Sequence, residues 1–399
     1  MSKIELLSPA GSLDKLKIAL MYGADACYIG GYKYNLRANA INFSKDEIEE
    51  ACKYAHNLGK KIHVTVNMVF HNEDIVGLVD YLKELESIGV DAIIVSDPLV
   101  LDILKENNIK LCVHISTQAS SLNYETVLFW KSKGVSRVVL GRELHESEIS
   151  EIIDKTGIEI ETFVHGAMCS SYSGRCVLSN YFTGRDANRG GCAQICRWTF
   201  KLCDSNKKEI KSDVDFSLAV KDLSLMNYIE DMIKLGISSL KIEGRMRSNY
   251  YIATVVSTYR EAIDAYYNNS LDEDKKKYYM KVLNRVANRD SKEQFFKTFP
   301  NKDGSYYVGR CEVSNQDYLG IVLDYDDSNN IVTLAQRNYF KKGDIVEFFG
   351  PNIKTFSFVI ENMYDEDDNL IEVANHPEQI VKLKIDNKLY KNDIMRIKI

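Results

Sequence analysis

Four cysteines, Cys169, Cys176, Cys192 and Cys196, fall within 28 consecutive residues of a chain that carries nine in all. The gaps between them are six, fifteen and three residues. Thiolates in this number can close a tetrahedral zinc site or hold a [4Fe–4S] cluster. Structural zinc normally uses two short Cys-x-x-Cys-type knuckles, and here only the second pair approaches one. The irregular spacing suits a cluster better, with structural zinc and a set of buried thiols as alternatives. Cys27, Cys52, Cys112, Cys203 and Cys311 are scattered, and Cys27 and Cys112 stand in apolar segments where cysteine serves as a small hydrophobe.

The stretch that carries the four cysteines is also basic. From Cys169 to Lys211 there are eight Lys or Arg against three acids, a local excess of +5. Tyr172, Tyr181, Phe182, Trp198 and Phe200 are interleaved with them. Cations among aromatics suit a nucleic-acid backbone and unpaired bases; a solvated loop whose aromatics pack over a metal group is the plainer reading.

Whatever chemistry these residues do, they must be positioned by the elements around them. Short apolar runs recur at Ile4–Leu7, Ala26–Ile29, Lys61–Val66, Ala92–Val95, Lys110–Ile115, Arg137–Leu140, Ile158–Val164 and Ser239–Ile242. They read as continuously apolar strands, the pattern of a parallel sheet covered on both faces. Amphipathic stretches lie between them. Ser44 and Glu47 form a capping-box start for a helix to about Leu58, stopped by Gly59. Helices are also predicted over Ile75–Ile88, Tyr124–Lys133, Glu146–Lys155 and Met226–Leu235, each ahead of a glycine. Eight strands in this series predict an α/β fold, a TIM-like (β/α)8 barrel, with a doubly wound open sheet as the competitor. Polar residues gather just after the strands, among them Arg37, Asn67, Asp97, Gln118, Arg142, His165, Glu243 and Arg245. In a barrel those ends converge on one face, where active sites sit.

Between the seventh and eighth strands lies a long insertion that carries all four clustered cysteines, centred on residues 166–215. The predicted organisation is a barrel over 1–270, a charged helical linker over 271–304 with a helix at Lys276–Val286, and a small antiparallel β-barrel domain over 305–399. Strands of that last domain are read at Tyr306–Gly309, Gly320–Leu323, Ile331–Leu334 and Lys342–Phe348. The final segment, Val381–Ile399, has six Lys or Arg against two Asp, a local +4.

The chain has 399 residues, a net charge of −6 and 45% hydrophobic residues, which is too apolar for a disordered chain. No run approaches the roughly 20 apolar residues of a membrane span. Met1 to Pro9 enters a strand-like segment without a basic and apolar leader, so no membrane association and a reducing, cytoplasmic setting are expected. A His-Glu-x-x-His pair, a Gly-x-Ser-x-Gly elbow, a P-loop and a Gly-x-Gly-x-x-Gly turn are all missing from the sequence. A cysteine nucleophile paired with His114 or His165 is conceivable, although Cys169, beside three other cysteines, reads better as a ligand.

The segment from Glu161 to Ser179, which contains His165-Gly-Ala-Met-Cys169 and Ser173-Gly-Arg-Cys176, resembles the signature of the collagenase-like peptidase family of unassigned catalytic type. Ser8–Gly11, Asn35–Ala38, Ser116–Gln118, Gly141–Glu143, Lys221–Leu223 and Lys241–Arg245 are similar to other segments of that family. The resemblance runs from the first strand to the eighth, and the later β domain fits it too. It implies oxygen-independent hydroxylation with a [4Fe–4S] cluster. One branch acts on the wobble uridine of tRNA with prephenate as the implied hydroxyl source, a longer branch acts on 23S rRNA, and a shorter pair acts in ubiquinone synthesis. The length and C-terminal domain resemble the tRNA branch.

On that resemblance the cluster ligands are Cys169, Cys176, Cys192 and Cys196, with Cys203 as the alternative fourth. The implied partners are the tRNA anticodon loop, a small dicarboxylate co-substrate and, in paired forms of the family, a homologous partner subunit. Arginine is the natural partner of a carboxylate, which singles out Arg37, Arg142 and Arg245, with Asn67 and Gln118 beside them. Glu243, Asp97 and His165 are the candidate proton-transfer groups. A collagenase-like peptidase and a non-catalytic RNA-binding protein with structural zinc or a cluster are the alternatives.

Overall fold

The computed structural model describes residues 3–36, 42–211, 216–286, 289–306 and 317–398. Its first unit is a closed parallel barrel. The strands are β1 (Glu5–Pro9), β2 (Ala26–Gly30), β3 (Lys61–Val66), β4 (Ala92–Val95), β5 (Val113–Ile115), β6 (Arg137–Val139), β7 (Glu159–Gly166) and β9 (Ser239–Ile242). Each of β1 to β7 pairs in parallel with the next, and β9 closes the ring by pairing with β1 and β7. The helices are α1 (Leu13–Met21), α2 (Lys45–Asn57), α3 (Leu78–Ile88), α4 (Pro98–Glu106), α5 (Tyr124–Ser132), α6 (Glu146–Thr156), α7 (Leu178–Thr183), α8 (Ile229–Lys234), α9 (Asn249–Tyr267) and α10 (Glu273–Val286). No helix among the described residues is long and apolar enough to cross a membrane.

Local chemistry accounts for the element ends. Ser44 Oγ accepts from the Glu47 amide and the Glu47 carboxylate accepts from the Ser44 amide, which starts α2 as expected. The helix expected over Ile75–Ile88 is broken. Gly77 takes φ +83°, a left-handed conformation open to glycine, so a single 3-10 turn ends at Ile75 and α3 begins at Leu78. The helix expected over Met226–Leu235 likewise opens as a 3-10 turn and continues as the six residues of α8.

The insertion between β7 and β9 includes a short strand, β8 (Asp222–Ser224), outside the barrel ring. It pairs antiparallel with the end of β7 and parallel with β10 (Ser291–Lys292), which follows α10. Arg247 and Arg289 both donate to the buried Asp222, so the segment after α10 is bound to the barrel mouth. Tyr279, Leu283, Val286 and Phe296 join the barrel core, which extends that core into the segment read as a linker.

The C-terminal domain is an eight-stranded antiparallel sheet whose main strands are Tyr318–Asp326, Ile331–Gln336, Ile345–Gly350, Ile353–Val359, Ile380–Lys384 and Ile394–Ile397. Val322, Leu334, Phe348, Leu383 and Met395 centre its own core. Most of the strand expected at Tyr306–Gly309 lies outside the described residues. The domain is fastened to α1 and α9. Tyr250 stacks on Tyr318 with centroids 5.0 Å apart, Tyr22 meets Phe349 edge-on, and the Tyr22 hydroxyl donates to the Asn392 carbonyl. The basic C-terminal segment is partly neutralised, because Lys382 pairs with Asp368, Lys388 with Asp327 and Arg396 with the buried Glu347.

Candidate functional site

The C-terminal ends of the strands open into a pocket that is continuous with solvent. Asn67, Gln118, Arg142, Glu243 and Arg245 line it together, joined by Tyr28, Thr65, Ser116, Phe163 and Lys241. Asn67 Nδ2 donates to Ser116 Oγ, and that oxygen also caps the Gln118 amide. Arg142 lies face-on to the Phe163 ring, its guanidinium carbon 3.8 Å from the centroid, and donates to the Ala167 carbonyl. Glu243 is held by its backbone, through its amide to the His165 carbonyl and its carbonyl to the Tyr251 hydroxyl. Arg245 is buried and donates to Asn42 and Asn35. It fits because Gly30 has no side chain: a Cβ there would fall inside the guanidinium.

Three of the expected residues stand elsewhere. Asp97 caps α4 by accepting from the Leu99 amide at 3.0 Å and is not among the cavity-lining residues. His165 is buried against Tyr259 and Tyr251, outside the cavity lining. Burial lowers its imidazole to about 3, so it is neutral at ordinary pH. Arg37 lies outside the described residues.

The barrel interior holds charges that the reading of apolar strands missed. Glu161, fully buried on β7, accepts from Lys241 Nζ at 2.7 Å and from Arg137 at 3.0 Å. Arg137 also pairs with Glu5 and Glu159. Burial alone would push the Glu161 carboxyl up, but Lys241 and Arg137 outweigh it and hold the group down at about 2. Lys241 is drawn the other way, because burial lowers its ammonium more than Glu161 restores it. The Glu161 direction governs the pair, since that carboxylate faces two cations and Lys241 faces one anion. Below them His63 and His114 meet edge-to-face at 4.7 Å, and burial pushes both imidazoles well down. The signal that could have found these residues is alternation by two: Glu5 and Leu7, Glu161 and Phe163, and Ser239 and Lys241 are in register across β1, β7 and β9.

The insertion is tied to the cavity wall near the first two cysteines. Arg142 reaches Ala167, Glu143 accepts from the amide and hydroxyl of Ser173, and Arg175 Nε donates to the Gln118 carbonyl at 2.7 Å. Asn188 bonds both main-chain groups of Cys176, while its own carbonyl accepts from Val69. Four thiols in one insertion are a soft donor set suited to iron and sulfide. The Cys176 sulfur also accepts the Leu178 amide at 3.4 Å, a contact of the kind that tunes cluster thiolates. No three His, Cys, Asp or Glu side chains among the described residues are placed to hold a single metal ion. Tyr172, Tyr181, Phe182 and Trp198 are exposed, with Phe182 edge-on to both Trp198 and Phe200.

Residues 11–305 match the model of peptidase family U32, and residues 314–396 match the C-terminal domain of that family. The chain belongs to peptidase family U32. Among its relatives in the family is tRNA hydroxylation protein P1 of Bacillus subtilis (strain 168), 49% identical over 399 residues that cover 99% of this chain and 94% of the relative. The tRNA hydroxylation protein P of Escherichia coli (strain K12) is 31% identical, covering 98% and 96%. A protein named Collagenase from Porphyromonas gingivalis (strain ATCC BAA-308 / W83) is 30% identical, covering 98% of each chain. The family expected from the cysteine segment is thus confirmed, and its members carry both hydroxylation and peptidase names.

Proposed function

We propose that this protein hydroxylates the wobble uridine of tRNA to 5-hydroxyuridine, without molecular oxygen and with prephenate as the hydroxyl source. The full-length similarity to tRNA hydroxylation protein P1 carries this reading. The cavity supports it: Arg142, Lys241 and Arg245 outnumber Glu243 and favour a small dianion at the barrel mouth. A wobble base lies in a loop and is exposed at little cost. The exposed aromatics and cations of the insertion offer stacking and phosphate contacts beside the mouth. Glu243, the acid of the cavity lining, is the candidate for moving the proton at uracil C5. Cys169, Cys176 and Cys192, with Cys196 or Cys203 as the fourth, would hold the [4Fe–4S] cluster, which supplies electron-transfer or Lewis-acid chemistry when bound. A tRNA substrate places this work in the cytoplasm, alone or with a homologous partner subunit.

A peptidase needs a nucleophile beside a base. The described residues bring a thiol to an imidazole at Cys112 and His114, 3.9 Å apart, but Cys112 precedes β5 at the end of the barrel opposite the cavity. Nucleoside mass spectrometry of tRNA from a deletion strain without a redundant paralogue tests the proposal. Loss of 5-hydroxyuridine-derived nucleosides, restored by the wild-type gene and not by Cys169→Ser, is expected. Unchanged wobble hydroxylation in the deletion strain would remove the reading. Unchanged hydroxylation in the deletion strain, together with collagen cleavage by the purified Cys169→Ser protein, would favour the peptidase.

A further inference from the structure

We propose that Lys241 is the anion anchor on the cavity floor, where its ammonium receives a carboxylate of the small co-substrate. The inference rests on the reading above that the cavity takes a dianion, and it adds a cation that lies within a strand instead of after one. Lys241 is 4% exposed yet lines the cavity. One of its three N–H donors is spent on Glu161 at 2.7 Å. The second oxygen of Glu161 is taken by Arg137, which Glu5 and Glu159 also hold, so Lys241 meets Glu161 through a single oxygen and keeps further N–H donors for a ligand. The ammonium lies 4.6 Å from the Tyr28 ring centroid and 5.5 Å from that of Phe163, so two aromatic faces flank and hold it. Arg142 stacks on the same Phe163 ring. A dicarboxylate therefore spans floor and rim, with one carboxylate on Lys241 and the other on Arg142 or Arg245. Glu243, the acid of the lining, remains for proton movement.

Calorimetric titration of the anaerobically purified full-length protein with prephenate and with malonate tests this. Lys241→Met alone leaves the buried Glu161 charge to Arg137, which Glu5 and Glu159 also hold, and risks misfolding, so the decisive variant is the neutral pair K241M/E161Q. It is expected to bind either dianion at least roughly tenfold more weakly, in line with the loss of one charged hydrogen bond. E161Q alone, which keeps the ammonium, is expected to retain binding. Wild-type affinity in the double variant, or an equal loss in E161Q alone, overturns the anchor. If the wild type binds malonate and not prephenate, the donor assignment fails and the Lys241 comparison is read on malonate. If it binds neither, the anchor fails, while RNA hydroxylation is still judged by the nucleoside measurement.

Discussion

Replacing Glu161 with Gln should destabilise the barrel by about 3 kcal/mol at pH 7. The carboxylate is fully buried and receives Lys241 at 2.7 Å and Arg137 at 3.0 Å. Its proton affinity falls from an ordinary value of 4.5 to about 2 in the folded chain. At ~1.4 kcal/mol for each tenfold change, that gap corresponds to about 3 kcal/mol. Removing one partner of a buried ion pair independently costs ~3–5 kcal/mol, and Gln keeps the size and one acceptor, which points to the lower figure. Because the folded value is depressed, the stabilisation is fully present above pH 4.5 and is lost as pH falls toward 2. The difference between wild type and E161Q should therefore narrow from about 3 kcal/mol at pH 7 to about 2 kcal/mol at pH 3.5, and vanish below both values. Urea unfolding followed by tryptophan fluorescence is the assay. The two tryptophans, Trp130 and Trp198, both precede the C-terminal domain, so the signal follows the barrel and its insertion. A difference under about 1 kcal/mol at pH 7, or one that does not narrow in acid, would refute the claim that Glu161 is held ionised by its two cations.

Three further outcomes follow from the same geometry. Gly30→Ala should displace the Arg245 guanidinium from Asn42 and weaken prephenate binding on the order of tenfold in calorimetry, with the thermal midpoint nearly unchanged because a flexible side chain yields. Asp97→Ala should lower stability to urea by about 1 kcal/mol through loss of the α4 cap, leaving wobble hydroxylation intact in tRNA nucleoside analysis. His165→Phe should leave the pH profile of prephenate binding between pH 5 and 8 unchanged and cost under about 1.5 kcal/mol, since the ring is neutral and Tyr259 keeps its bond to the Val164 carbonyl.

The barrel was legible because its helices end in glycines and its strands recur between them, and the rim residues Arg142, Glu243 and Arg245 because loops after parallel strands must share a face. Lys241 and Glu161 were hidden by their neighbours. Leu240 and Ile242 flank the lysine, and Thr162 and Val164 follow the acid, so the apolar outward face masked the charged inward one. His165 would face inward by the alternation of Glu161 and Phe163, but the register shifts between Phe163 and His165 and turns its ring toward α9. Asp97 stands at a strand end and also before Pro98 at a helix start, and the cap prevailed. The partners of Lys382, Lys388 and Arg396 come from distant strands, so local charge counting overstated the free cations of that segment.

The charges inside the barrel also bear on how the ring closes. β9 is the last strand of the ring in chain order, and it must pair with the edges of both β1 and β7. A slip of one residue would turn Lys241 outward into the aliphatic layer under the helices and swing Leu240 and Ile242 against Glu161 and Arg137. An aliphatic interior would tolerate that mistake with little more than imperfect packing. Here it would strand ionised groups away from water, a cost that favours the one alignment of β9 in which Lys241 meets Glu161.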